Sequence, residues 1–244
     1  MTDKEHLLSV YANRIINEKT IFRKINEEND FYYSVPFLEG VNVVYALHSM
    51  FIEHDFIKAR NLFFKAALAA EYMSFKFDRR IIDTGINQIS YALLSDNQEF
   101  IKRYSVLKNS INDETSIGYQ LPNAIQNILL EEWDKLDWNI RCLERFVKVP
   151  RFTAYAGVIN VLQGFKRKDH GLIEDGLKEL LATYKKRKEG DPLIYKFFSI
   201  DTSGFTKLAW IKGYEIDLKS TLVPIELMPV KPLEHYESYD FLDL

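Results

Sequence analysis

Cysteine, glycine and proline are all scarce in this chain of 244 residues, which contains one cysteine, ten glycines and seven prolines. A single cysteine cannot form an intramolecular disulfide, and it excludes a metal site built from several thiolates. The glycine-dependent phosphate loops, the GxSxG elbow and the HExxH zinc motif are all missing. The sequence therefore predicts no catalytic site, no metal and no cofactor, with an enzyme of unrecognised chemistry as an alternative.

Long apolar runs are missing as well. The uncharged stretch 40–52 is shorter than the run of about 20 apolar residues that a membrane-spanning helix needs. The N-terminal sequence MTDKEHLLSV carries charges and lacks the apolar centre of a signal peptide. We therefore expect a cytoplasmic protein without a membrane partner.

Bulky side chains are plentiful, with 14 tyrosines, 17 phenylalanines and three tryptophans. Apolar residues recur three or four positions apart along most of the chain, which predicts an all-α fold. The strongest stripe predicts one long helix over about 122–148, starting near Pro122 and ending before Pro150. Its members are Ile125, Leu129, Trp133, Leu136, Ile140, Leu143 and Val147.

Three junctions between helical stripes carry an aspartate, at Asp55, Asp96 and Asp169. Each carboxylate can accept hydrogen bonds from the free N–H groups of the next helix, and Asp96 with Glu99 fits a capping box. Short connections of this kind join antiparallel helices. Because the aspartates do not recur at a fixed period, we predict stacked antiparallel α-hairpins in an irregular array or bundle.

The helical pattern stops at Tyr214. Ile216 and Leu218 alternate with charged residues, and three prolines follow at positions 224, 229 and 232. The apolar residues in this stretch predict an ordered, extended strap over residues 214–244 that runs across the helices. If the strap is buried, its charges should pair with lysines and arginines of the helices. Without a Gly/Ser-rich linker, residues 1–244 are predicted to form a single all-helical domain.

The net charge of −3 gives the chain no overall excess of positive charge to attract nucleic acid, so we expect no nucleic-acid partner. The charge is unevenly spread, because residues 215–244 hold seven acids and two bases. The basic run 185–188 is predicted to be a solvated turn at the end of a helix, where positive charge is favoured by the helix dipole.

Isolated residues are weaker candidates for a catalytic or metal-binding site. Asp83-Thr84-Gly85 and Asp201-Thr202-Ser203-Gly204 resemble an aspartic-protease dyad, but that dyad needs β-hairpins and Asp83 begins a helical stripe. His48 and His54 are six residues apart and do not share a helix face, so a metal site is disfavoured. Cys142 is predicted to be a packed residue of a helix.

Four acids surround two tryptophans inside the predicted long helix. Trp133 is expected to face the core and the acids to form a solvated face, with a partner-binding patch as the alternative. Two acids of the C-terminal stretch join this alternative. The candidate partner-binding residues are therefore Glu131, Glu132, Asp134, Asp137, Glu237 and Asp240.

One family resemblance rests on the C-terminal stretch. The residues that carry it are Leu208, Ala209, Gly213, Tyr214, Val223, Pro224, Leu227, Pro229, Pro232, Tyr236 and the closing Tyr239-Asp240-Phe241-Leu242. They resemble the C-terminal signature of the immunity protein 49 family of bacterial polymorphic toxin systems. This resemblance implies a cytoplasmic antidote that binds a cognate toxin domain stoichiometrically, without catalysis or a cofactor. A helical scaffold that binds a peptide in a concave groove is the other alternative.

Overall fold

A computed structural model describes residues 2–79, 86–187 and 192–242. Within these ranges the chain forms α-helices and no β-strand, so the predicted all-α class and packed helical array are confirmed. The helices are α1 (Asp3–Glu28), α2 (Phe31–His48), α3 (Phe56–Phe77), α4 (Asn87–Leu94), α5 (Gln98–Val106), α6 (Ile117–Leu129), α7 (Trp133–Phe146), α8 (Ala156–Arg167), α9 (His170–Ala182), α10 (Ile194–Phe197) and α11 (Ile200–Ile211).

Helices that follow one another along the chain make the most extensive contacts, namely α1 with α2, α2 with α3, α6 with α7, and α8 with α9. Their short connections make these pairs antiparallel. Helix α11 breaks this sequential order, because it packs against α4 and α9. The array is therefore closed by a helix that lies far along the chain from α4.

The shortest connections between helices share the same two-residue arrangement. A residue in the left-handed conformation ends one helix, and the residue after it is the N-cap of the next helix. At His54-Asp55 the Asp55 carboxylate accepts from the backbone N–H of Lys58 at 2.8 Å, and Asp169 plays the same part after Lys168. The predicted caps at Asp55 and Asp169 are confirmed.

The predicted cap at Asp96 is wrong. Asn97 caps α5 instead, accepting from the backbone N–H of Phe100 at 3.0 Å, while Asp96 takes the left-handed position with φ of 62°. The Asp96 side chain is fully buried between Arg60 and Lys207. Because Asp and Asn are equally good caps, only these distant basic partners decide which of the two neighbours turns inward.

The single helix predicted over 122–148 is also wrong, because the chain forms two helices there. Helix α6 is capped by Ser116 and contains Pro122 in its interior, and the chain turns back at residues 130–132, where Glu131 has φ of 59°. Both arms of this hairpin direct their apolar faces into the same core. An uninterrupted apolar spacing therefore cannot distinguish one straight helix from a hairpin whose turn happens to preserve the period.

A buried network of side-chain amides holds the two arms of this hairpin together. Asn139 of α7 donates to Gln120 Oε1 at 2.7 Å and accepts from Asn127 Nδ2 at 2.6 Å, both on α6. All three residues are buried. Amides buried in this way must satisfy one another, so the network fixes which residues of the two arms face each other.

The residues that follow α11 form the C-terminal segment, defined here as 214–242. Gly213, with φ of +85°, ends the helix, and a short 3₁₀ turn at Ile225–Leu227 interrupts otherwise irregular backbone. That residues 214–244 act as an ordered strap and that 1–244 form a single domain both stay predictions. The buried apolar residues of the segment are Ile216, Val223, Leu227, Met228, Tyr239 and Leu242.

One helical stretch, Phe31–Glu53, is long and apolar enough to cross a membrane when judged by length and composition alone. It comprises α2 and the π-helical turn after it, and most of it is buried against other helices. A core helix of a soluble protein has the same properties. The cytoplasmic location and the lack of a membrane partner therefore stay predictions.

Candidate functional site

The acidic patch at the α6–α7 turn consists of Glu131, Glu132, Asp134 and Asp137. Glu131 occupies the left-handed position of the turn, and the other three follow in α7 or just before it. The two neighbouring tryptophans differ in their surroundings. Trp133 packs against the core, whereas the side chain of Trp138 is 48% exposed.

Three of the four carboxylates of the acidic patch already form an ion pair with a lysine. Asp134 is the exception, since no cation within the described ranges lies within 4.0 Å of its carboxylate. Exposed ion pairs contribute little free energy, so these lysines can be displaced at small cost when another cation arrives. The pairs are Glu131–Lys212 at 3.1 Å, Glu132–Lys135 at 2.7 Å and Asp137–Lys166 at 2.5 Å.

A groove of about 670 Å³ opens beside Trp138, between the end of α5 and the α6–α7 hairpin. Val106, Leu130 and Trp138 form its apolar edge, and each has at least two fifths of its surface exposed. Glu132 and Asp134 lie on its charged rim. An exposed tryptophan inside a polar rim is the arrangement found at the energetic centre of many protein interfaces.

The other two candidate acids lie on a different surface. Glu237 donates its backbone N–H to Asn61 Oδ1 of α3 at 2.9 Å, and Asp240 borders a shallow cavity next to Phe22 of α1. Both side chains are exposed. Across the described part of the chain, neither residue contacts the acidic patch. The six predicted residues therefore do not form one site, and their role in binding stays a prediction.

The acids of the C-terminal segment do not pair with the helices as predicted. Among those that the structure describes, only Asp217 forms an ion pair, and its partner is Lys219 in the same segment. The basic side chains of the helices bind the main chain of the segment instead. This contact is made by the buried charge cluster of Arg60, Asp96 and Lys207.

In the buried charge cluster, two cations share one carboxylate. Arg60 Nε lies 2.8 Å from Asp96 Oδ2, and Lys207 Nζ lies 2.6 Å from Oδ1, close enough for an ion pair although not in hydrogen-bond geometry. Burial lowers the pKa of Lys207. Carbonyl oxygens of the C-terminal segment supply the remaining acceptors, from Leu227, Met228 and Pro229 to Lys207 and from Glu226 and Pro229 to Arg60.

The basic run 185–188 is not simply a solvated turn. Arg187 is buried, with Nη1 donating to the Leu180 carbonyl at 2.6 Å and Nε donating to Asp201 at 2.9 Å. Asp201 is thus the counter-ion of an arginine. Asp83, the other aspartate of the disfavoured protease dyad, and Lys188, the last lysine of the run, lie outside the described residues.

The surroundings of His48, His54 and Cys142 indicate structural roles for all three residues. The ring of His48 stacks on Tyr11 with centroids 3.8 Å apart, and His54 ends the α2 stretch in the left-handed conformation. Burial raises the pKa of the Cys142 thiol. Within residues 2–79, 86–187 and 192–242, no group of three or more His, Cys, Asp or Glu side chains is placed to hold a metal ion.

A second cavity, the Glu39 cavity, was not predicted. It has a volume of about 330 Å³ and lies among α2, α4, α6, α10 and α11. Burial raises the pKa of Glu39 to about 7, against the opposing effect of a hydrogen bond from Gln88 Nε2 at 3.0 Å. One sequence signal was available, since Glu39 is the only Asp, Glu, Lys or Arg within the apolar helix α2.

Two of the regions within the described ranges that can receive a ligand are the groove beside Trp138 and the Glu39 cavity. The first is lined by acids and lysines beside an exposed tryptophan, and the second lies between helices and contains the partly buried carboxyl group of Glu39. No protein-family model matches the chain, and comparison with the curated proteins and with the solved structures likewise finds no match.

Proposed function

We propose that the chain is an antidote of the immunity-protein type, which neutralises a cognate bacterial toxin domain by stoichiometric binding. The toxin would seat a basic or apolar side chain beside Trp138 and cover the acidic patch. Inhibition then follows from occlusion of the toxin, and the antidote performs no chemical step itself.

The observation that carries this proposal is the half-exposed indole of Trp138 at the edge of a groove of about 670 Å³. Tryptophan is enriched among the residues that dominate binding energy, and such residues are commonly surrounded by a polar rim. Here the rim carries the acids Glu114, Glu132 and Asp134 together with Lys108 and Lys135, and the lysines that pair with the acidic patch are mostly exposed. The acidic patch would increase the association rate with a basic toxin surface.

The family resemblance of the C-terminal stretch supports the proposal in a limited way. Several of its residues are buried or bind the helices, as Tyr236 does by donating to the Ser95 carbonyl at 2.9 Å. Tyr239 likewise exchanges hydrogen bonds with Asn42. The resemblance is therefore an argument about how this segment packs, and it leaves the binding surface to be argued from the groove.

The test is co-expression with the toxin domain encoded by the neighbouring reading frame. The chain should rescue growth and should co-purify with the toxin in equal amounts. Trp138→Ala should weaken the complex at least tenfold, because loss of a central aromatic costs about 2 kcal/mol or more. Asp134→Lys should weaken it as well, mainly through slower association.

Two further variants make the result specific. Asp175→Lys changes an exposed acid on α9, away from the groove, and should leave affinity unchanged. The double variant Glu237→Lys/Asp240→Lys tests the other acidic surface. Wild-type affinity of both groove variants would remove the groove from the proposal, and failure of the chain to protect against that toxin would overturn the antidote function itself.

A further inference from the structure

We propose that the Glu39 cavity binds a small organic cation, in which an ammonium or guanidinium group carried on an apolar body pairs with the Glu39 carboxylate. This site is separate from the groove beside Trp138 and does not depend on a toxin partner. It follows from the position of the cavity, from the charges that line it, and from a tyrosine hydroxyl on its wall that has no hydrogen bond to any described residue.

The cavity lies between helices. Its walls come from five helices and from the 3₁₀ turns Pro150–Tyr155 and Tyr184–Lys186. Gly40, next to Glu39, lines it, and a Cβ atom built on Gly40 meets no other atom within 4 Å. Apolar side chains make up much of the lining, namely Val43, Ile86, Ile117, Leu121, Ile194 and Ile200. Ligand pockets typically combine such walls with a few polar groups.

The charge inside the cavity does not balance. Of its three charged residues, Arg187 and Asp201 form an ion pair at 2.9 Å. Arg187 also donates to main-chain carbonyls, so its donors are used. No cationic nitrogen of the described chain lies within 4.0 Å of Glu39, whose hydrogen bond comes from a neutral amide. Arg79 attracts the ionised carboxylate from a greater distance, so among the described residues Glu39 has no direct cationic partner, and a ligand cation can take that place.

Tyr91 is the second polar group that points to a ligand. Its side chain is 3% exposed and lines the cavity, yet its hydroxyl forms no hydrogen bond with any residue that the structure describes. Burial, and after it the negative charge of Glu39, raise the pKa of Tyr91 far above its ordinary value. Three more phenol rings, of Tyr155, Tyr184 and Tyr195, belong to the lining, and aromatic faces attract cations.

Binding of a cation should be coupled to release of a proton. With a pKa of about 7, Glu39 is partly protonated at neutral pH, and an ammonium group can pair with it only when it is ionised. Arg187 is held by Asp201, whereas Arg79 attracts the ionised form of Glu39 from a distance and lowers its pKa. The groups that interact electrostatically with Glu39 are Arg79, Tyr91 and Tyr104. The other titratable groups that line the cavity are Tyr155, Tyr184, Arg187, Tyr195 and Asp201.

Isothermal titration calorimetry of the full chain with four small probes tests the proposal. Benzylammonium and phenylguanidinium are the cations, and benzyl alcohol and benzoate are neutral and anionic molecules of similar size. We expect the cations to bind at least tenfold more tightly than the other two at pH 6.5. The heat should differ between buffers of different ionisation enthalpy, because a proton leaves Glu39.

Three variants assign the binding to this cavity. Glu39→Gln removes the charge at constant size, and Gly40→Leu fills the cavity with a residue that favours helix, so both should reduce cation affinity at least tenfold. Glu27→Gln, on the exposed face of α1, should change nothing. Equal binding of all four probes, no binding of either cation, or undiminished binding to Glu39→Gln would each overturn the proposal.

Discussion

Replacing Glu39 by glutamine should stabilise the protein in alkaline solution and have almost no effect in acid. The folded protein holds this carboxyl group at a pKa of about 7, whereas the ordinary value is 4.5. Between these pH values the folded chain keeps a proton that the unfolded chain releases. The free energy of unfolding of the wild type must therefore fall as the pH rises from 4.5 to 7.

The magnitude follows from the same two values. Each pH unit between them is worth about 1.4 kcal/mol, so the ionised carboxylate costs the wild type about 3 kcal/mol above pH 7. Glutamine carries no charge at any of these pH values, and its side-chain oxygen can still accept the hydrogen bond from Gln88. The variant should therefore exceed the wild type by about 3 kcal/mol at pH 8 and match it near pH 4.

Urea unfolding of both proteins at several pH values between 4 and 8 measures this difference directly. Glu27→Gln is the matched control, because an exposed glutamate should change stability by less than about 0.5 kcal/mol at any pH. A difference that is the same at every pH, or a glutamine variant less stable than the wild type at pH 8, would refute the reasoning about burial of Glu39.

Three more predictions concern stability and are read from urea midpoints. Asp96→Ala should cost about 3–5 kcal/mol, because it leaves the buried cations Arg60 and Lys207 without their carboxylate. Asn139→Ala should cost about 2 kcal/mol, since two buried amides lose their partner. Gly176→Ala should cost about 2 kcal/mol, because the new methyl group would lie 2.6 Å from a backbone nitrogen of α8.

Asp96→Ala and Gly176→Ala each have a matched control on the same chain. Asp217→Ala removes an exposed ion pair and should change stability by less than about 0.5 kcal/mol. Gly171→Ala lies in the same helix as Gly176, but its methyl group would make only an ordinary contact at 3.5 Å. A variant that costs no more than its control would contradict the corresponding contact.

The sequence predicted the fold class because helical periodicity depends on each helix burying one face. Prediction from the sequence failed where two local conformations suited the same residues equally well. Asp96 and Asn97 are both suitable caps, and the choice between them depends on Lys207, which is more than a hundred residues away. The stripe through Leu129 and Trp133 fits both a straight helix and a hairpin.

The candidate sites depend even more on distant contacts. The acidic patch could be located from sequence because its acids are neighbours along the chain. The Glu39 cavity could not, since its walls come from five helices and a lone glutamate has no motif. Arg60 and Lys207 likewise look like ordinary helical surface residues until the C-terminal segment is placed beside them.

The buried charge cluster has a consequence for how the protein is made. Ribosomes deliver the chain from the N-terminus, so all the helices emerge before the carbonyl groups of residues 226–229. Until then Arg60 lacks two of its acceptors and Lys207 lacks its three carbonyl acceptors, so packing of α3 against α11 would leave buried donors unpaired. Released fragments that end before Pro224 should therefore be bound by chaperones and cut by proteases, whereas the full chain should resist both.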